Sequence, residues 1–417
     1  MPSVRRDELV TELEGLVALA SVSGSMGEQI VQHRLAERLQ GLGCEVDLWA
    51  LDMAMLTADP RFPGMEVPRE TGLGLVGELT SPAGGTDGPT VILNAHTDVV
   101  PPGDDLLWTS PAFVPRVDAA PDGREALFGR GSCDMKGGLV AVLAALESLR
   151  EKGLPRRGRV LVQCVIGEED GGLGTFATLA RGHVGDVAVI PEPTSCQIVC
   201  ANAGALTFRL SVPGRAAHGG SRWDGVNAVA EFWHLWHAME ALESRRNTDI
   251  HPLMQHIPLP YGISVGTVHA GDWASTVPDL LVAEGRLGVA LGEDTEHARD
   301  ALREAVAEAC DKSDWLREHP AYLEFVGGQF ASGMTPPDDP LVAVVSATHE
   351  RRTGQAPQVH GAAYGSDLRL LAALGIPTVH YGPGKAQHAH SPDEHVPLDE
   401  IELTVDVLVD LVEHYCG

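Results

Sequence analysis

The sequence predicts an α/β protein whose first domain is built on a largely parallel mixed sheet, with a smaller α+β domain inserted into it. Short, uniformly apolar segments recur at 91–93, 160–166 and 187–190, as is typical of parallel strands buried on both faces. A helical pattern separates the first two segments, and near residue 203 the pattern changes to alternating strands. These observations indicate α/β architecture followed by an α+β insertion.

The first elements in the chain are predicted to be two amphipathic helices that pack on the sheet. Gly43 follows the second of them and Gly153 follows a third, at 138–152, where each is a suitable C-cap. The apolar positions that share a face are Leu9, Leu13, Leu16 and Leu19 in the first helix and Val31, Leu35, Leu39 and Leu42 in the second.

The inserted region, 203–328, carries strands and helices in the order βαββαβ. After a turn-rich stretch, helical and strand patterns resume at 341–349 and 377–381, so the chain is expected to return to the first domain. We therefore assign a discontinuous first domain to 1–202 and 329–417. The predicted strands of the insertion are 206–212, 263–268, 281–289 and 322–326, and its helices are 226–239 and 295–310.

Composition excludes several classes of partner. The formal charge of -28 would repel a phosphate backbone, so nucleic acid is not an expected ligand. The N-terminus lacks an apolar signal core, and no run of 18 apolar residues follows, so no membrane association is expected. Seven cysteines without CxxC spacing indicate free thiols and a cytoplasmic protein.

Acidic and imidazole groups stand at the ends of three apolar segments. VILNAHTD carries His96 and Asp98, LVQCVIGEED carries Glu168 and Glu169, and VAVIPEPT carries Glu192. Ligands of open α/β sheets collect outside the carboxyl ends of the strands, so these groups can converge. His96 could bind zinc while Asp98 accepts its other ring N–H, although a structural His–Asp pair is equally compatible with this motif alone.

Two further candidates come from loops. Asp134 lies in GRGSCDMKGG, immediately before a helix, where a simple N-cap is the alternative. His390 lies in AHSPDE, where an exposed histidine is the alternative, as a solvated pair is for Glu168 and Glu169. Buried together, two adjacent ionised glutamates are unfavourable unless a cation binds one of them.

The summed charge of the candidate ligands favours a site with two metal ions over a site with one. Two Zn²⁺ ions bring +4, and Asp134, Glu169 and Glu192 return -3, which leaves room for a hydroxide. Two such cations can polarise a carbonyl and lower the pKa of water. Glu168 then remains without a metal and is the natural general base.

This combination resembles the co-catalytic zinc metallopeptidase family that contains acetylornithine deacetylase, succinyl-diaminopimelate desuccinylase, aminoacylase and carboxypeptidase G. The resemblance extends from LVALASVSGSMGE to YGPGKAQHAHSPDEHVPLDE. It implies a zinc-exopeptidase-like catalytic domain and an inserted lid and dimerisation domain. It also implies two Zn²⁺, with Co²⁺ or Mn²⁺ as substitutes.

The resemblance implies a role for each site residue. His96 and Glu192 would bind one zinc, Glu169 and His390 the other, and Asp134 both. Asp98 would orient His96, and Glu168 would be the general base.

On the insertion, GRAAHGGSRWDGVNA matches the segment whose histidine, here His218, stabilises the oxyanion in the partner's site, which implies a homodimer. Arg286 matches a residue that binds a substrate carboxylate, with a salt bridge within the sheet as the alternative. The segment GSDLRLLAALGIP implies that residues 365–367 lie near the substrate; they are Gly365, Ser366 and Asp367. One departure is Ser275, where relatives commonly carry asparagine, which leaves the substrate open.

The resulting hypothesis is an amidohydrolase that removes an acyl group from an amino acid or similar small carboxylate. A carboxypeptidase or dipeptidase of the same family is the first alternative, since both break the same bond, and a non-catalytic relative is the second. A dinucleotide site is rejected, because the GxGxxG match at 72–77 precedes ELTSPAGGTDGP rather than a helix.

Overall fold

The computed structural model describes residues 6–80 and 87–417. Residues 81–86, part of the turn-rich segment after the GxGxxG match, and the first five residues of the predicted catalytic domain lie outside this range. The strands are β1 (Glu45–Ala50), β2 (Leu73–Thr80), β3 (Thr90–His96), β4 (Arg116–Ala119), β5 (Glu125–Phe128), β6 (Arg159–Val165), β7 (Val187–Ile190), β8 (Ile198–Asn202), β9 (Gly204–Pro213), β10 (Ile263–Ala270), β11 (Leu280–Val289), β12 (Tyr322–Phe330), β13 (Gly333–Met334), β14 (Val359–Ala362), β15 (Thr378–His380) and β16 (His395–Pro397). The helices are α1 (Arg6–Val17), α2 (Met26–Gly41), α3 (Met53–Ala58), α4 (Gly137–Glu151), α5 (Leu173–Ala180), α6 (Ala228–Arg246), α7 (Thr295–Lys312), α8 (Asp314–Glu318), α9 (Pro340–Thr353), α10 (Leu368–Ala372) and α11 (Leu398–Cys416).

The chain forms two compact units. The first comprises the described residues up to Ala201 together with Met334–His360 and Asp367–Gly417, and the second comprises Asn202–Gly333 and Gly361–Ser366. The assignment of 1–202 with 329–417 as catalytic and of 203–328 as a lid stays a prediction about function.

The first unit contains the predicted mixed α/β sheet, with strand order β1-β2-β6-β3-β7-β15-β8-β13 and β14 paired to β8. Its centre is parallel, because β3 pairs in parallel with both β6 and β7, and β7 with β15. Antiparallel pairs flank this centre at β1–β2, β2–β6 and β15–β8. Every residue of β3 is buried, which explains the apolar run at 91–93 and predicts that a charge within that run would disrupt the sheet.

Helices α4 and α11 supply much of the apolar core of this unit. Residues 137–146 of α4 are all buried, and each fully buried Leu or Val there contributes roughly 1.5–3 kcal/mol. Gly153, with φ +66, follows the last turn of α4, as predicted for a C-cap. The GxGxxG match lies on β2, which is paired along both edges, so it cannot open a helix around a phosphate.

The second unit is a four-stranded antiparallel sheet, ordered β10-β11-β9-β12, with the predicted βαββαβ succession and the short α8 added. Burial alternates along all ten residues of β9, as expected where one face of a strand meets the core. Leu206, Phe208, Leu210 and Val212 point to that core, where Phe232 of α6 and Leu302 of α7 also lie. Across the described part of the chain, none of the helices is both long and apolar enough to cross a bilayer.

Candidate metal centre

The sheet brings the predicted site residues to one edge. His96 is the last residue of β3 and lies opposite Val165, the last residue of β6. Glu168 and Glu169 lie three and four residues after the end of β6, and Glu192 lies two residues after the end of β7. Because β6, β3 and β7 are parallel, their carboxyl ends meet at the same edge.

The side chains at this edge gather around His96. Its Nε2 atom lies 3.0 Å from Oδ1 of Asp134 and 3.8 Å from Oε1 of Glu192. Ligand atoms of His96, Glu168 and Glu192 lie within 4.8 Å of one another, and so do those of His96, Asp134 and Glu169. Glu168 therefore lies within 4.8 Å of His96, beside the predicted ligands.

His390 completes the cluster from a different part of the chain. Its Nε2 atom lies 2.9 Å from Oε2 of Glu169 and 3.4 Å from Oδ2 of Asp134. The side chain of His390 is 53% exposed, whereas that of Glu169 is 7% exposed, so the cluster opens to solvent on the His390 side. All five predicted metal ligands thus lie together.

Asp98 is completely buried next to His96, and its carboxylate is shared between several neighbours. The Nδ1 atom of His96 lies 2.9 Å from the backbone oxygen of Asp98 and 3.7 Å from its Oδ1 atom. The carboxylate accepts hydrogen bonds from the hydroxyl of Ser23, at 2.8 Å, and from the backbone N–H of Glu168, at 3.3 Å. Asp98 therefore contacts both His96 and the backbone of Glu168, and its role in orienting the imidazole stays a prediction.

Burial and neighbouring charges raise the pKa values of the three glutamates in the cluster. Burial raises the pKa of Glu168, and the charges of Asp367 and Glu192 raise it further. Burial and then the Asp134 charge likewise raise the pKa of Glu192 and of Glu169. Such a set of carboxylates is unfavourable without a compensating positive charge.

The pKa values of both imidazoles in the cluster are raised as well. Burial lowers the pKa of His96, but hydrogen bonding to Asp134 and the charge of Glu192 outweigh burial and raise it. Hydrogen bonds to Asp134 and Glu169 raise the pKa of His390 to about 11. In this metal-free arrangement protons on the histidines supply the positive charge that the carboxylates require.

The cluster fits divalent cations better than protons alone. Oε1 of Glu169 is buried without a hydrogen-bond partner among the described residues, which is a position that a cation can fill. Imidazole nitrogens and carboxylate oxygens are the ligands preferred by Zn²⁺. The five side chains supply three carboxylates and two imidazoles, the composition expected for a pair of such ions.

Buried residues that sequence reasoning missed support the loops of the site. Glu394 and Arg130 form an ion pair of 2.5 Å with 0% and 2% side-chain exposure, next to Asp134. Arg69 binds Asp170, the residue after Glu169, and Glu28 of α2. The available signal was that Glu394 and Asp170 lie within the motifs AHSPDE and EED, but nothing in the sequence indicated their burial.

The remaining predicted residues are distributed over both units. His218 is exposed in the second unit, where its Nδ1 atom accepts the N–H of Gly220 at 3.0 Å. Arg286 is partly buried there and donates to the backbone oxygen of Ala363 at 2.7 Å. Within residues 6–80 and 87–417, no carboxylate forms an ion pair with Arg286, so the alternative of a sheet salt bridge is not observed.

The segment 365–367 spans the boundary of the two units. Gly365 and Ser366 belong to the second unit, and a Cβ atom at Gly365 would overlap the ring of Phe330. Asp367 belongs to the first unit, where it is buried, and its charge helps to raise the pKa of Glu168. Of the three predicted residues, Asp367 is the one that adjoins the acidic cluster within its own unit.

The α/β sheet with a His–carboxylate cluster at its carboxyl edge defines the class of a metal-dependent hydrolase. Residues 92–414 match the family described as Peptidase family M20/M25/M40. The chain belongs to that family. It is accordingly an enzyme that hydrolyses carbon–nitrogen amide bonds.

Curated relatives are named as deacylases. The N-formyl-4-amino-5-aminomethyl-2-methylpyrimidine deformylase of Halalkalibacterium halodurans is 25% identical, with 99% of this chain and 95% of that protein covered. The succinyl-diaminopimelate desuccinylase of Gluconacetobacter diazotrophicus is 30% identical, with 80% and 83% covered. The acetylornithine deacetylase of Aliivibrio fischeri is 26% identical, with 96% and 97% covered.

Solved structures confirm the fold. Dug1p, a dipeptidase from Saccharomyces cerevisiae, has a TM-score of 0.75 at 14% identity, with 99% of this chain and 96% of that chain covered. The YXEP protein of Bacillus subtilis, titled a dinuclear metal binding peptidase, has a TM-score of 0.63 at 16% identity, with 98% and 97% covered. The family resemblance inferred from the sequence is thereby confirmed, as is the mixed α/β fold.

Proposed function

We propose that this protein is a dizinc amidohydrolase that removes the acyl group from an N-acyl amino acid or a similar small carboxylate. The observation that carries the proposal is the gathering of five potential ligands around His96 and Asp134, with Glu168 beside them. The similarity to a deformylase, a desuccinylase and a deacetylase supports deacylation.

The ligands divide into two sets that share Asp134. His96 and Glu192 would hold one zinc, and Glu169 and His390 the other, because each pair lies within 4 Å and each imidazole also approaches one Asp134 oxygen. Co²⁺ or Mn²⁺ could substitute, since both accept the same ligands. When bound, such ions would polarise the scissile carbonyl and make water more acidic.

Glu168 is assigned as the general base. Its carboxylate takes a proton from the water that attacks the amide carbon, and it then delivers this proton to the leaving nitrogen as the carbon–nitrogen bond breaks. The backbone N–H of Glu168 is held by Asp98, and Asp98 is held by Ser23, so the base sits on a supported loop.

Substrate binding is assigned to residues of both units. His218 uses Nδ1 as an acceptor, so a neutral ring carries its proton on Nε2 and can donate to an oxyanion. Arg286 donates one N–H to the backbone oxygen of Ala363. Its other N–H groups are suited to bind the substrate carboxylate. Gly365, Ser366 and Asp367 are proposed to line the substrate position.

The second unit also offers a surface for a homodimer. Strand β10 is an edge strand, and Val268 on it is 49% exposed. On α6, Trp233 is 53% exposed. An unprotected strand edge beside exposed apolar side chains favours pairing with a second copy, in which His218 would act on the partner's site. We also propose a cytoplasmic location, supported by seven unpaired cysteines.

The decisive experiment compares wild type with Glu168→Ala, measuring hydrolysis and zinc content of both. Activity should fall by roughly 10²–10⁴-fold while zinc is retained. Glu151→Ala, an exposed change at the end of α4, is the control and should leave both unchanged. Equal activity of wild type and Glu168→Ala would remove Glu168 from the mechanism.

A substrate panel separates the deacylase from its alternatives. It should contain N-formyl, N-acetyl and N-succinyl amino acids, a formylated aminomethylpyrimidine, and dipeptides. Faster hydrolysis of dipeptides would favour a carboxypeptidase or dipeptidase, and no metal-dependent hydrolysis of any compound would favour a non-catalytic relative. His218→Ala should lower turnover without lowering zinc content, and unchanged turnover would contradict its role.

A further inference from the structure

We propose that Glu394 and Arg130 form a buried clasp that positions two of the metal ligands, Asp134 and His390, without binding metal themselves. The proposal rests on the proposed function of the cluster as a metal centre. Its basis is a set of contacts in which one buried carboxylate holds the backbone of the Asp134 loop and one buried guanidinium holds that carboxylate.

Both oxygens of the Glu394 carboxylate accept hydrogen bonds. Oε1 accepts the backbone N–H groups of Cys133 and Asp134, each at 3.0 Å. Oε2 accepts from Nη1 of Arg130 at 2.5 Å. Because both oxygens are occupied and the side chain is 0% exposed, Glu394 is suited to support and not to metal binding.

These contacts hold Asp134 in an extended backbone conformation. Asp134 has φ -118 and ψ 99, outside the helical region, only three residues before α4 begins at Gly137. Its N–H and that of Cys133 therefore need a partner from outside the local turn, and Glu394 supplies it. In this conformation the carboxylate of Asp134 reaches both His96 and His390.

The same pair also holds the loop of His390. His390 lies four residues before Glu394 and has a φ of +59, which is unfavourable for a residue with a side chain. Nη1 of Arg130 also lies 3.5 Å from the backbone oxygen of Ser391, and the guanidinium lies 5.2 Å from the ring centre of Trp108. The clasp thus ties the His390 loop to the Asp134 loop.

The backbone of Glu394 adds to this link. Its carbonyl accepts the N–H of Gly129 at 2.8 Å and the hydroxyl of Ser132 at 3.3 Å. The ligand loops are therefore joined through one residue by side-chain and main-chain bonds. Groups that orient metal ligands in this way typically change metal affinity by about 10–100-fold when removed.

The test is a cobalt titration of metal-free protein, followed by visible absorption, for wild type, Glu394→Gln, Arg130→Met and the double variant. Glu394→Gln keeps the shape but presents an NH₂ group to Arg130. The double variant leaves no unpaired buried charge, so it provides a folded variant if a single substitution unfolds the chain. Circular dichroism of each metal-free variant establishes that it is folded.

The matched control is Glu293→Gln in the second unit. The side chain of Glu293 is 10% exposed, pairs with Arg246 at 2.5 Å and accepts the backbone N–H of Ala290 at 2.8 Å, but it contacts none of the proposed ligands. The Glu293→Gln substitution should lower the thermal stability of the protein and leave its cobalt binding unchanged.

We expect each clasp variant to bind cobalt about 10–100-fold more weakly per folded molecule and to show a shifted cobalt absorption band. Unchanged affinity and spectrum in the folded variants, with wild type binding two ions, would overturn the clasp and leave the metal centre intact. A wild-type protein that binds no cobalt would overturn the metal centre and, with it, the clasp.

Discussion

Replacing Arg69 with methionine should destabilise the first unit strongly, because it leaves two buried carboxylates without their shared cation. Arg69 is 2% exposed and makes three close bonds to acids. Its Nη2 and Nε atoms reach the two oxygens of Glu28 at 2.8 and 3.1 Å, and its Nη1 reaches Oδ2 of Asp170 at 2.5 Å. The two carboxylates are 5% and 4% exposed, so water cannot replace the guanidinium.

The expected size follows from this burial. Breaking a buried ion pair by removing one partner costs about 3–5 kcal/mol, because a buried charge is left uncompensated. A shift of about 2–4 °C per kcal/mol would lower the Tm by roughly 6–20 °C. Asp170 directly follows Glu169, so cobalt affinity should fall in parallel.

Denaturant unfolding of Arg69→Met and of a surface control would measure this difference. Arg34→Met removes a solvent-exposed ion pair, because the side chain of Arg34 is 40% exposed and lies 3.7 Å from that of Glu12. The expected loss in the free energy of unfolding is about 0–1 kcal/mol. Equal midpoints for the two variants would refute the reasoning that burial decides the cost.

Three further predictions concern the metal, a glycine and the dimer. The pKa of His390 is raised to about 11 in the metal-free protein; at neutral pH the ring is therefore charged and must lose its proton to bind zinc. Zinc addition should release protons, and affinity should rise about tenfold per pH unit between about pH 6 and pH 8, whereas a pH-independent affinity would contradict this. Gly172→Ala should cost roughly 1–3 kcal/mol more than Gly153→Ala in denaturant unfolding, because both have positive φ but only a Cβ at Gly172 would meet a carboxylate oxygen, at 2.4 Å; equal costs would oppose this. If the proposed homodimer forms through α6, Trp233→Glu should convert it to monomers in sedimentation, unlike Leu106→Glu on the first unit, and a dimer that persists would exclude α6 from the interface.

The sequence was informative wherever a property depends on neighbours along the chain. The apolar run within β3 indicated a strand buried on both faces, as in a parallel sheet. The alternation of apolar and polar residues in β9 indicated a strand buried on one face, as in an antiparallel sheet. Parallel strands then imply a common edge, so the proximity of His96, Glu168 and Glu192 could be anticipated from their positions after apolar segments.

Tertiary structure decided what depends on contacts between distant segments. The carboxylate of Asp98, 3.7 Å from Nδ1 of His96, also accepts from the hydroxyl of Ser23 and from the backbone N–H of Glu168, and neither of these two contacts is visible in a His-x-Asp motif. Nothing in the sequence distinguishes Glu394 and Arg130 from other charged residues, because a sequence records charge but not the depth at which a side chain lies. Local periodicity thus determined the sheet and its reactive edge. Only the packing of loops that are distant in the sequence decided which charged side chains are buried and which backbone groups they bind.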